Sequence, residues 1–218
     1  MALELGKHLD AQLRAHVPAL MKAHGFKAKR SPRSWVRDVG GCHQAVAVVV
    51  DGRSARDGYL LVGVEAGVTY EGDDRTPFSV GGEAIRWHAG NLSGHLKEPE
   101  WRFDERALNA DYGGGIGRYV ERSVLPALDR FVDPVELRDH FMLQGHQPWD
   151  VIDLSLKAGD GATARTFAAA TVRFFVLRRQ ADPIEAPPRL VAKLLALADE
   201  LGVAIDDRDR AALLAGRP

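Results

Sequence analysis

The densest chemistry in this chain lies between residues 27 and 37, where Lys27, Lys29, Arg30, Arg33 and Arg37 surround Trp35. Cations interleaved with an aromatic can engage an anionic partner, the ammonium and guanidinium groups meeting carboxylates or phosphates while the indole stacks. We expect these six residues to form a binding face for an acidic protein surface, with nucleic acid as the alternative partner. A merely solvated face has the same composition. Residues 1 to 37 hold eight Lys or Arg against Glu4 and Asp10, yet the whole chain has a formal charge of -1. The remainder is therefore acidic, and such polarity can draw an acidic partner to one end of the molecule without making it a generally basic protein.

A second constellation is acid-base. Glu65 interrupts an otherwise apolar run, and a carboxylate in such a run needs a partner. Arg37, Arg86 or His88 on neighbouring strands can supply one. The competing functional expectation is thus an enzyme with an acid-base site around Glu65, Arg86 and His88; the competing structural one is an ion pair, or Glu65 simply at the exposed end of its strand. Cys42, the only cysteine, sits in a Gly-Gly-Cys-His turn, beside His43 but with no other activating neighbour in sequence. The run from Asp111 to Arg118, Asp-Tyr-Gly-Gly-Gly-Ile-Gly-Arg, places glycines where a helix begins. Amides there can attract a phosphate, but the Lys-Ser/Thr of a nucleotide loop is missing, and glycines permitting a tight bend are the plainer reading. Eight histidines include no pair at metal-ligand spacing, so we expect no metal site and no cofactor.

The elements that must position these groups follow from periodicity. Leu9, Leu13, Val17, Leu20 and Met21 mark an amphipathic helix, which Pro18 is expected to kink or restart and Gly25 to end. Three strands come next, Ser34 to Val39, Gln44 to Asp51 and Tyr59 to Thr69, and their short glycine-containing turns imply antiparallel pairing. The second and third are apolar on both alternating faces, so both sides of the sheet centre should be covered. Residues 71 to 83 read as a loop, and Ala84 to Leu92 with Trp101 to Phe103 as one or two further strands. Helices follow: one around Ile116 to Leu128 interrupted by Pro126, one starting at Asp133-Pro134, a stop and new cap at Gly159-Asp160, and a linker at Ala186-Pro187-Pro188. Asp206 and Asp209 resemble a capping box for a short last helix.

The order of these pieces, Leu20 to Lys29, Trp35-Val36-Arg37, Ala45 to Val68, Ile85 to Leu92, Trp101 and Val124 to Phe131, resembles the bacterial family catalogued as domain of unknown function 4304. The likeness covers roughly residues 5 to 145. It implies bacterial origin and a helix on an antiparallel sheet, and brings no catalytic residue with it.

The expected architecture is α+β. Residues 1-145 form an N-terminal helix on a four- to five-stranded antiparallel sheet; residues 146-218 form a helical extension packed on it, or else a self-association surface, driven by Trp149, Leu154, Phe167, Phe174, Phe175, Leu190, Leu194 and Leu197. A single cysteine permits no intrachain disulfide. The start lacks the pattern of an export signal, and no stretch approaches the length of a membrane span. The function class that fits best is a non-enzymatic protein-binding module of the bacterial cytoplasm.

Overall fold

The computed structural model describes residues 2–29, 33–51, 58–73, 78–80, 83–85, 87–88, 100–105, 110–145, 147–181 and 188–214. These divide into two compact units, 1–133 and 134–218.

The first unit opens with α1, Ala2–Ala23, which buries Leu5, Leu9, Leu13, Val17 and Met21 along one face. Of the two outcomes expected at Pro18, a restart does not occur: the helix runs through it. Pro18 has no amide for the carbonyl of Arg14, and Arg14 lies on the exposed side of the helix. Gly25 ends the helix at φ 79°, and the Phe26 amide turns back to the Met21 carbonyl at 2.9 Å.

The sheet is antiparallel throughout: β1 (Lys27–Ala28), β2 (Ser34–Val39), β3 (Cys42–Asp51) and β4 (Leu60–Tyr70) lie side by side in chain order. The far edge of β4 is shared by β7 (Trp87–His88), at Gly67 and Val68, and β8 (Trp101–Phe103), at Leu60 to Val62. Gly40 and Gly41, both at positive φ, make the tight β2–β3 turn.

Register sorts the side chains into two faces. Trp35 and Arg37 lie beside Val46 and Gln44, which lie beside Ala66 and Val68. This is the helical face, because Phe103 at its edge meets His8 of α1 and Tyr112 of α2 (Tyr112–Tyr119), the latter ring at 5.5 Å. The opposite face presents Val36, Ala45, Ala47 and Val49, with Gly63 and Glu65 on β4. It too is buried at its centre, with Ala45 at 1% and Ala47 at 2% exposure.

Residues 78–80 and 83–85, expected within or beside a loop, form a hairpin of β5 (Phe78–Val80) and β6 (Glu83–Ile85). It approaches both β3 and β4, which have sheet neighbours on either side, so it lies over a face and not along an edge. Alanines and glycines let another backbone come close there.

After α2 the chain widens into a single five-residue turn, Val120–Val124, in which the Leu125 amide bonds the Val120 carbonyl, and continues as α3, Leu125–Arg130. Pro126 therefore does not break the helix. The widened turn just before it absorbs the missing amide and the ring's bulk.

The second unit is helical: α4 (Pro134–Leu143), α5 (Pro148–Lys157), α6 (Gly161–Ala181), α7 (Pro188–Glu200) and α8 (Asp207–Leu214). Pro134 occupies the first turn of α4, as its fixed φ allows. Asp160 accepts the Thr163 amide at 3.0 Å to start α6, and Asp206 accepts the Asp209 amide at 2.7 Å to start α8. The core joins Val172 and Val176 of α6 to Val191, Leu194, Leu195 and Ala198 of α7 and Leu213 of α8, with Trp149 and Phe175 packed against it. No described helix is long and apolar enough to cross a membrane.

Candidate protein-binding site

The basic segment is distributed, not assembled. Trp35 is 2% exposed and belongs to the core, which removes it as a stacking platform. Arg33 turns back to α1, its Nε 2.6 Å from Asp10 Oδ1. Arg37 is drawn furthest in: its guanidinium donates to Gln44 Oε1 at 2.7 Å and to the His24 carbonyl at 3.0 Å, pairs with Asp129, and lies over the Phe26 ring. Gln44, fully buried, passes the link on by donating to the Leu128 carbonyl at 2.7 Å. Arg37 thus stitches sheet, helix end and α3 together. Among the described residues of the segment, only Lys27 and Lys29 are exposed cations, on and beside the edge strand, where lysine discourages further strand pairing. Arg30 lies outside the described residues.

The acid-base constellation changes as well. Arg37 and Glu65 occupy opposite faces of the sheet, so Arg37 is not the partner of Glu65. Glu65 is half-buried midway along β4; Arg86 lies outside the described residues, and His88 is placed only as the strand neighbour of Gly67. Cys42 is 1% exposed, and burial pushes its thiol up to about 11, the opposite of nucleophile activation. Burial raises Tyr70 as well, with Cys42 and Asp133 adding to the effect, and its hydroxyl donates to the Phe131 carbonyl at 2.7 Å. Both groups stay neutral and serve the core. On the surface, Asp38 and His43 pair across β2 and β3 at 2.6 Å. Among the described residues no three His, Cys, Asp or Glu are grouped as an ion would require.

The glycine run makes no tight bend. None of its glycines has positive φ, and Gly113, Gly114 and Gly117 lie buried within α2. A Cβ on Gly113 would sit 2.5 Å from the Gln12 carbonyl oxygen, so that glycine exists to let α1 and α2 touch. Asp111 already occupies the helix start, accepting the Gly114 amide at 2.8 Å, with His16 3.1 Å away. Its carboxylate would repel a phosphate.

The surface that stands out is on α6. Phe174, expected to dock the extension or to form a self-association surface, is 55% exposed, and Leu177 is 54% exposed. At 100° per residue, Ala170, Phe174 and Leu177 share an arc of about 60°. Arg173 borders it on one side and Arg178 on the other, all five being exposed. The Arg178 guanidinium lies 5.8 Å from the Phe174 ring centroid, and Phe175, packed against the core, meets Phe174 edge-on at 5.6 Å. The exposed ring is therefore held from both sides. Residues 161–181 include Arg165, Arg173, Arg178 and Arg179 and no acidic residue. The sequence signal was available in that one-sided charge, because a helix face with arginines three and four residues from large apolar groups and no acids to pair with them is an uncommon solvated face.

No protein family, no curated protein and no solved structure matches this chain.

Proposed function

We propose that this protein is a non-enzymatic protein-binding module and that the exposed face of α6 is its contact surface. The observation that carries this reading is the pairing of Phe174 and Leu177, more than half exposed, with arginines on both borders. Aromatic and arginine side chains dominate the energetics of protein interfaces, and apolar side chains clustered at a surface mark contact sites. The protonated, buried state of Cys42 and Tyr70 supports binding over catalysis, since neither is poised as nucleophile or base. The resemblance of residues 5 to 145 to the bacterial family of unknown function 4304, and placement in the bacterial cytoplasm, belong to the same proposal; the buried free thiol of Cys42 suits a reducing compartment.

The test is affinity purification from the native host of the intact chain and of a Phe174→Ser, Leu177→Ser double variant, with quantitative mass spectrometry. We expect a protein retained in near-stoichiometric amount by the wild type and lost from the variant, whose melting temperature is unchanged. Equal recovery from both, or none from the wild type, overturns the assignment of α6.

A further inference from the structure

Resting on the assignment of α6 as the contact surface, we infer that the partner docks an amphipathic helix there, one whose own apolar stripe is bordered on both sides by carboxylates. Three observations fix that chemistry. The first is geometry: Ala170, Phe174 and Leu177 form a ridge spanning eight residues, about two helical turns, which is the footprint offered to an i, i+3/i+4, i+7 stripe. Ala170 leaves space at one end, and Phe174 and Leu177 fill the other.

The second is charge. Arg173 and Arg178 run along opposite borders of the ridge, in the places that charged residues take beside an apolar seam between two helices. An incoming helix is thus met by guanidinium groups on both flanks. Acids at its matching positions gain charge-assisted, two-pronged hydrogen bonds, and bases there are repelled.

The third excludes the nearest alternative. A second copy docking α6 on α6 about a two-fold axis would bring the same patch against itself, arginine rails against arginine rails, with no acid anywhere on the helix to relieve them. An anionic bilayer shares the preference for arginine, and capture of lipid in the experiment below would reveal it.

The experiment places photoreactive benzoylphenylalanine at position 170, on the ridge but away from both arginines and both large side chains, in the full-length chain in its native host. The cross-linked peptide is then sequenced. We expect one dominant protein segment with apolar residues at helical spacing and Asp or Glu on both borders. Its yield should fall about tenfold or more in the Arg173→Glu, Arg178→Glu variant and recover in Arg173→Lys, Arg178→Lys, with the thermal melt unchanged in both, because rim charges act on encounter and specificity. A captured protein segment without flanking acids overturns this inference and leaves the protein-binding reading standing. Capture of a second copy of this chain also overturns it. Lipid, nucleic acid or no dominant adduct overturns both.

Discussion

Residues 27 to 37 and residues 170 to 178 are built from the same ingredients, arginines beside a large aromatic ring, and the fold puts them to opposite uses. In the first, Trp35 is sealed in the core and Arg37 is bonded to a glutamine, a carbonyl and a carboxylate. In the second, Phe174 and both arginines face outward. Composition alone cannot separate the two cases. The difference is one of secondary structure: a strand in a covered sheet has two buried sides and no outward face at its centre, whereas a helix at the rim of a bundle always has one.

The sharpest way to break this comparison is to truncate the two rings in turn. Trp35→Ala should destabilise the N-terminal unit by about 3–5 kcal/mol, the range for emptying a large buried aromatic site. Phe174→Ala should leave stability within about 0.5 kcal/mol of wild type, as for a surface substitution, while abolishing partner recovery. Urea denaturation of the two variants decides it; comparable losses would mean that Phe174 is core after all.

The arginines give the next largest contrast. Arg37→Ala removes a nearly buried cation and leaves the fully buried Gln44 carbonyl oxygen without its donor, and a loss of about 3 kcal/mol follows. The Arg173→Ala, Arg178→Ala pair should cost less than about 0.5 kcal/mol. Equal effects in chemical denaturation would erase the distinction between an internal stitch and an outward rail.

The smallest effect is a pH dependence of α6 itself. The Asp160 carboxyl is held below its ordinary value first by the Thr163 amide and hydroxyl, then by Arg138, whose Nη1 lies 2.8 Å away. Because the folded pKa is depressed, its contribution is complete above the unfolded value of about 3.9 and is lost as pH falls through the folded one. Asp160→Ala should therefore melt below wild type at neutral pH, with the gap closing in strong acid. A gap that persists undiminished below the carboxylate range would show that the charge of Asp160 does not support the helix.

What the sequence determined by itself is local. Gly25 ends the first helix, Asp133-Pro134 and Gly159-Asp160 start α4 and α6, Asp206 caps α8, and the tight Gly40-Gly41 turn makes β2 and β3 antiparallel. The helix ends and caps each depend on residues a few positions apart, whose dihedral preferences and capping hydrogen bonds act without the rest of the chain. The antiparallel α+β architecture follows from them. What only the tertiary structure decided depends on distant partners. Trp35 and Arg37 point toward the helices because β2 pairs with β3 in one particular register, and a slip of one residue would have turned both to the other face. Arg37 meets Asp129, and Gly113 meets Gln12, across separations no spacing rule encodes. Phe174 and Phe175 are adjacent in sequence and equally apolar, yet one packs against the core and the other reaches solvent. The direction of α6, set by its contacts with α5, α7 and α8, chose between them.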